Sequence, residues 1–238
     1  RTCCACRIQN EHGGIDPGRH GRTGMQQKDL VLAVAKELRR ALESTGRYRV
    51  QLTRDSDVFI PLRERVNIAR VLRADLFVSL HADSNDHPDI RGASVYTLSE
   101  AASDREAATL AEKENMSDVI AGVDLAGDNS PVAAILIDLA QRDTMNRSVR
   151  FAERVLTALP RSTMVRPSSP HRSAGFAVLK APDIPAALIE LGYLSNSLDE
   201  AEMRKPAWRT KVAGSLVAAI DGHFSAESAL PGRQAAVP

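Results

Sequence analysis

The sequence lacks the features that would place it in a membrane, in a disulfide-bonded scaffold or on a nucleic acid. It has no run of about 18 apolar residues able to span a bilayer, and its basic start lacks the apolar segment of a signal peptide. All 3 cysteines fall within the first ten positions, so no disulfide can cross-link the rest of the chain. The 31 basic residues nearly cancel the 30 acidic ones, so no net field recruits a polyanion. These absences predict a globular domain that does not bind nucleic acid.

Several common catalytic motifs are absent as well. The chain contains no G-x-S-x-G nucleophile elbow, no Walker phosphate loop and no G-x-G-x-x-G dinucleotide loop. Serine hydrolase, nucleotide-dependent and dinucleotide-dependent chemistries therefore lack their usual sequence marks.

Helix and strand patterns alternate along most of the chain, which predicts an α/β layer protein. Apolar residues repeat at helical spacing in some segments, and other segments are short and apolar or alternate between polar and apolar residues. The predicted helices are 26–45, 61–72 and the segment around 208–224, and the predicted strands are 48–54, 74–83, 92–98, 175–180 and 185–194.

The chain is expected to form one main domain over residues 12–224. Within it, residues 103–159 have little strand character and predict a helical insertion. Residues 1–11 are expected to be an atypical N-terminus with incidental cysteines in a frayed end. Residues 225–238 are rich in alanine, serine, proline and glycine and predict a disordered tail.

Two histidines and one glutamate stand near predicted strand ends or in a glycine-rich loop. His81 closes the apolar run "DLFVSL", His12 lies in the loop "NEHGGIDPG", and Glu190 lies inside the apolar segment "AALIELGYL". A single histidine in such a place is more often structural, and a buried glutamate is equally consistent with an ion pair to Arg65 or Arg63. Taken together, the two histidines and the carboxylate favour a zinc hydrolase. In such enzymes zinc lowers the pKa of its bound water to about 7 and a carboxylate takes the proton.

Several segments together resemble a known family. They are "HGGIDPG" (12–18), "GMQQKDL" (24–30), "LTRDSDVFIPLRERVNIAR" (52–70), "ADLFVSLHAD" (74–83), "RGASVYTLSE" (91–100) and "GFAVLKAPDIPAALIELGYLSN" (175–196). In this order and spacing they resemble the zinc-dependent N-acetylmuramoyl-L-alanine amidases of the bacterial cell-division type. The resemblance implies a mainly parallel or mixed twisted sheet with helices on both faces. It also implies a periplasmic enzyme that cleaves the amide between N-acetylmuramic acid and L-alanine in peptidoglycan.

The resemblance also implies roles for individual residues. His12 and His81 match two zinc ligands of the family, and Glu190 matches its catalytic glutamate. The third ligand of the family is a glutamate in a "G-x-x-E-K-D" context, where this chain has Gln27. A glutamine keeps the carbonyl oxygen but loses the charge, so coordination is retained as an expectation and the affinity for zinc should fall. Glu11 is a weaker candidate for the missing ligand, and no residue is assigned to substrate binding.

The start of the chain departs from the family. The family enters its histidine loop from an apolar strand that ends in "D-P-G-H-G-G", whereas this chain reads "RTCCACRIQNEHGG". The missing β-branched run predicts that the first strand is absent or distorted and that His12 is held less firmly.

The segment 103–159 matches an insertion that, in division-type members, carries a helix covering the active site until a partner protein pulls it away. Glu114, within "AEKENMSDVIAGVD" (111–124), is the candidate carboxylate that plugs the zinc. The alternative is that Glu114 is an ordinary solvated helix residue. For the whole protein, the alternative to an active enzyme is an impaired relative that binds peptidoglycan or regulates wall hydrolysis, because of Gln27.

Overall fold

The computed structural model describes residues 4–117 and 134–229, with the backbone alone for 134–140. Its centre is a six-stranded sheet in the order β2-β1-β3-β6-β4-β5. Neighbouring strands run parallel except for β4 and β6, which are antiparallel. The strands are β1 Cys4–Asn10, β2 Tyr48–Leu52, β3 Leu76–His81, β4 Ser94–Leu98, β5 His171–Ala174 and β6 Ala186–Glu190.

Helices cover both faces of this sheet. They are α1 Gln27–Glu43, α2 Leu62–Val71, α3 Arg105–Asn115, α4 Ala134–Ala158, α5 Ser197–Met203 and α6 Pro206–Ala229, with short 3-10 turns at Leu159–Arg161 and Ala177–Leu179. Helices α1, α4 and α6 share one apolar core with the sheet, and α2 and α3 share a second core on the other face. The predicted fold class, a mixed sheet with helices on both faces, is confirmed. Across the two described stretches, no helix combines the length and the apolarity needed to cross a membrane.

Alternation along the central strands supplies both cores. In β3, Leu76, Val78 and Leu80 enter the core under α1, whereas Phe77 enters the core under α2 and α3. Each fully buried side chain of this size contributes about 1.5–3 kcal/mol to folding. On the second face the same alternation ends in polar residues, because Ser79 and His81 follow Phe77 and are also buried.

The expectation of a missing or distorted first strand is wrong, and so is the boundary that set residues 1–11 apart. Residues Cys4–Asn10 form β1, which pairs in parallel with both β2 and β3 in the middle of the sheet. Cys6 and Ile8 point into the α1 core, so small or branched side chains at alternate positions suffice. On the other face, the Nη1 of Arg7 donates to Gln51 Oε1 at 3.1 Å, which gives this buried arginine a partner on β2.

Two further boundaries differ from the predictions. The predicted strand over 175–180 is a 3-10 turn at Ala177–Leu179, and the strand before it is His171–Ala174. Val178 and Leu179 are buried in the core under α2 and α3, which gives this apolar run a packing role without sheet pairing. Helix α6 extends to Ala229, so residues 225–229 are helical instead of disordered, and 230–238 lie outside the described residues.

The segment 103–159 divides into two parts. Helix α3 lies on the face that carries Ser79 and His81, with Leu110 and Ala111 packed into the second core. The second half of α4 belongs to the main core, where Phe151 and Val155 are fully buried. Residues 118–133 lie outside the described part, and with them the C-terminal half of the predicted covering segment 111–124.

Candidate metal centre and active site

The candidate residues meet at the carboxyl edge of three parallel strands. His12 follows the end of β1, His81 is the last residue of β3, and Glu190 is the last residue of β6. The register of β3 and β6 places His81 directly beside Glu190. All three are buried, with exposed fractions of 8%, 0% and 0%. Open α/β sheets bind ligands at this edge, so the topology gathers these residues where chemistry is expected.

His12 is held by its own loop. Its backbone has a φ of 60°, in the left-handed region, and its Nδ1 lies 2.7 Å from Asp16 Oδ2. Burial opposes a charge on the ring, but the hydrogen bond to Asp16 and the nearby carboxylates of Glu114 and Glu11 raise the pKa of His12. Its Nε2 is buried and has no hydrogen-bond partner in the described part of the chain. The bond to Asp16 thus fixes one nitrogen and leaves the other for a ligand.

His81 stands between two sets of groups. Its Nε2 lies 2.8 Å from Ser79 Oγ and 3.4 Å from Glu11 Oε2. Its Nδ1 lies 3.3 Å from Glu114 Oε2 and 4.0 Å from Glu190 Oε1. Burial opposes protonation, yet Glu114 and Glu11 raise the pKa of the metal-free His81 well above its usual value. The His12 and His81 rings have centroids 6.5 Å apart.

Glu190 is held by one oxygen and presents the other. Its Oε2 accepts the backbone N–H of Asp83 at 3.0 Å, while Oε1 is buried without a hydrogen bond within residues 4–117 and 134–229. Burial first, then the charges of Asp83 and Glu114, raise the pKa of Glu190 to about 8, against the opposing effect of His81. The ion pair that the sequence allowed between Glu190 and Arg65 does not form, because Arg65 pairs with Glu11.

Gln27 is the first residue of α1 and is fully buried. Its Oε1 accepts the backbone N–H of Arg19 at 3.0 Å, which fixes the amide orientation because only the oxygen can accept. Its Nε2 has no hydrogen-bond partner among the residues described. An amide nitrogen offers no lone pair to a metal. Coordination by Gln27 therefore depends on the second lone pair of an oxygen that is already engaged, and this ligand role stays a prediction.

Glu114 lies near the end of α3 and reaches into the site. It is 6% exposed, so the alternative of a solvated helix residue is wrong. Its Oε2 is one of four buried lone-pair atoms on the histidines and glutamates of this site that lack hydrogen-bond partners in the described residues. The others are His12 Nε2, His81 Nδ1 and Glu190 Oε1.

These four unpaired atoms show whether the site is suited to a cation. Buried polar atoms are normally satisfied, so unsatisfied nitrogen and carboxylate lone pairs around one place indicate a missing positive partner. The ligand atoms of Glu11, His81 and Glu114, all buried, also lie within 4.8 Å of one another. The residues thus fit a metal ion bound by imidazole and carboxylate. Sequence reasoning named Glu11 only as a weaker candidate ligand and missed its burial beside Arg65 and His81.

Comparison with known proteins identifies the family. Residues 8–222 match the sequence profile of the family described as N-acetylmuramoyl-L-alanine amidase. The chain belongs to this amidase family. The AmiC amidase of Escherichia coli is 40% identical over 215 residues, which cover 90% of this chain and 51% of the relative. The AmiA amidase of Salmonella typhimurium is 39% identical over 214 residues, covering 90% and 73%. The chain thus spans about half the length of AmiC and about three quarters of AmiA.

Solved amidase structures share the fold. The catalytic domain of CwlV from Bacillus (Paenibacillus) polymyxa has a TM-score of 0.65 at 24% identity and covers 93% of this chain and 98% of its own. CwlD from Clostridioides difficile, solved in complex with the GerS lipoprotein, has a TM-score of 0.68 at 21% identity, covering 94% and 99%. The fold of this chain therefore matches an architecture established by experiment.

Proposed function

We propose that the chain is a periplasmic peptidoglycan hydrolase that cleaves the amide between N-acetylmuramic acid and the L-alanine of the stem peptide. The observation that carries the proposal is the side-by-side placement of His81 and Glu190 with unsatisfied atoms facing each other. Membership of the amidase family supplies the substrate class.

The metal of the proposal is zinc, held by His12 Nε2 and His81 Nδ1, with Gln27 Oε1 as a weak third ligand. Zinc suits a set of imidazole and oxygen donors. When bound, it supplies Lewis acidity that lowers the pKa of a water and stabilises negative charge on the scissile carbonyl oxygen. Asp16 holds the His12 ring in position from its other nitrogen.

Glu190 is the proposed general base and acid. The Asp83 N–H holds its Oε2, so Oε1 is the atom that takes a proton from the attacking water and returns it to the departing L-alanine nitrogen. Its burial favours the neutral form, which makes the return of the proton easier than for a solvated carboxylate.

Glu114 is the proposed autoinhibitory group. Its Oε2 lies 3.3 Å from His81 Nδ1, so α3 in this position occupies the space that a substrate carbonyl would need. Access then requires α3 to move, which gives an activator protein a role. The complex of CwlD with a lipoprotein shows that one related amidase binds a protein partner. If hydrolysis rates of wild type and Glu114→Ala on purified peptidoglycan are equal, Glu114 is not a plug.

The function is tested with protein refolded in zinc. Metal analysis, a zymogram on whole peptidoglycan and identification of released stem peptides should show zinc-dependent amidase activity, and Glu190→Gln should abolish it. Glu43→Gln, at the exposed end of α1, controls for the loss of one carboxylate. Activity retained in Glu190→Gln would contradict the proposed mechanism.

An impaired relative that only binds peptidoglycan or regulates its hydrolysis is not favoured, because the relatives compared above carry amidase names. Gln27→Glu separates the two. Activity that appears only in this variant would indicate an enzyme inactivated by Gln27. Activity in wild type would indicate an active amidase.

A further inference from the structure

A buried row of polar side chains leads from α2 to the candidate metal ligand His81. Its members, in order of contact, are Arg65, Glu11, Gln9, Ser79 and His81, and we call it the Arg65–His81 relay. All five are buried, with exposed fractions of 1% or less. Inside such a row, a donor that faces a donor or an acceptor that faces an acceptor is costly, so the directions of neighbouring hydrogen bonds depend on one another.

Arg65 is the most exposed member, at 1%, so the hydrogen bonds of the relay are made within the protein and not to solvent.

The direction of each hydrogen bond in the relay follows from the charge at its start. Arg65 donates to Glu11 Oε1, and the other oxygen, Oε2, accepts from the Gln9 amide nitrogen. The Gln9 carbonyl oxygen then accepts the hydroxyl proton of Ser79. Because a serine has a single proton to donate, its oxygen can only accept from His81 Nε2, 2.8 Å away.

The opposite direction is excluded by the negative charge of Glu11. A reversed row would turn the Gln9 oxygen toward Glu11 Oε2, which would place two acceptors against each other. Arg65 keeps Glu11 ionised, because its buried guanidinium donates directly to Glu11 Oε1 and a buried cation needs a charged partner. The carboxylate therefore sets the direction of the whole relay.

We propose that Glu11 is a positioning residue that fixes the His81 proton on Nε2 and so leaves the Nδ1 lone pair for the metal. The inference rests on the proposed function, since it assigns His81 Nδ1 as a ligand. Nδ1 is the nitrogen that faces Glu114 and Glu190, whereas Glu11 lies on the Nε2 side. Both oxygens of Glu11 are engaged within the relay, so Glu11 acts through His81 and not as a ligand itself.

The test is the variant Glu11→Gln. Arg65 would attract the new carbonyl oxygen, so the new amide group would face Gln9 and donate to its oxygen. Gln9 would then donate to Ser79, Ser79 would donate to His81 Nε2, and the ring proton would move to Nδ1. Nitrogen-15 NMR of the metal-free protein, titrated to the neutral ring, locates this proton, and the variant His81→Gln identifies the signal.

We expect the neutral His81 ring to carry its proton on Nε2 in wild type and on Nδ1 in Glu11→Gln. The zinc Kd, measured by competition with a chromophoric chelator, should rise about 10–100-fold, as for other groups that orient a metal-binding histidine. The matched control is Glu227→Gln, which also removes a carboxylate paired with a buried arginine, Arg147, at 2.8 Å. It should change neither the His81 proton nor the zinc Kd.

A ring proton that stays on Nε2 in Glu11→Gln would overturn the proposal, and so would a wild-type ring protonated on Nδ1. The wild-type spectrum decides even if the variant does not fold. If wild type binds no zinc, the metal part of the proposed function fails, while the position of the His81 proton still decides the role of Glu11.

Discussion

Replacing Gln27 by glutamate should lower the stability of the metal-free protein and raise its affinity for zinc. In wild type, the Gln27 oxygen accepts the Arg19 N–H and the amide nitrogen is left without a partner among the described residues. A glutamate of the same shape would keep the bond to Arg19 with one oxygen. Its second oxygen would replace the nitrogen and offer a charged ligand to the metal.

The size of the stability change in the metal-free protein follows from the burial of residue 27. Gln27 is 0% exposed, so a carboxylate there loses several kcal/mol of hydration. The hydrogen bond from the Arg19 backbone N–H to a charged carboxylate offsets about 1.5–3 kcal/mol of this loss. The metal-free variant should therefore be less stable than wild type by roughly 2 kcal/mol. With zinc the charge is compensated, and the zinc Kd should fall at least about tenfold, which is ~1.4 kcal/mol.

Thermal unfolding in zinc and in a chelator measures the stability change of the variant with and without the metal. Competition with a chromophoric chelator gives the zinc Kd. Gln26→Glu is the matched control, because it adds the same charge one residue earlier, at a half-buried position. It should leave the zinc Kd unchanged. An unchanged zinc Kd in Gln27→Glu would refute the assignment of this position to the metal site.

Three other perturbations test the site and its support. Gly18→Ala should lose zinc affinity, because a Cβ there meets the His12 ring, whereas Gly46→Ala, also at positive φ but with open space, should cost only about 1–2 kcal/mol of stability and leave zinc binding intact. Glu106 has its pKa lowered to about 2, against burial, by Arg166 and Arg172. Glu106→Gln should therefore be less stable at neutral pH by roughly 1 kcal/mol, a difference that vanishes in urea titrations as the pH falls from about 4.5 to about 2. Phe151→Ala should cost about 3–5 kcal/mol in the same titrations, and a cost below 1 kcal/mol would contradict a core role for α4.

The sequence predicted the main elements because their periodicities were long and regular. Helix α1 and strand β3 lie within two residues or so of the predicted bounds, and His81 and Glu190 were recognised as polar residues at buried strand ends. Their adjacency in the sheet was not predictable, because it depends on the order of strands far apart in the chain.

The first strand was missed for a physical reason. Sequence patterns weigh β-branched residues heavily, and "CACRIQN" has one such residue, Ile8. Its alternation was present, since Cys4, Cys6 and Ile8 face one side. On the other side of the strand, Gln9 is buried because it bonds to nearby Glu11 and to Ser79, which lies on β3, far away in the chain. Burial of polar residues is decided by such partners, which a single sequence does not display.

The pairing of β3 with β6 has a consequence for the order of folding. His81 and Glu190 become neighbours only when a strand from late in the chain joins a strand made much earlier. Closing so long a loop is slow compared with forming local helices, so this contact belongs to the last steps of assembly. The candidate catalytic pair is thus completed only after residue 190 has been synthesised, and a chain that ends earlier lacks it.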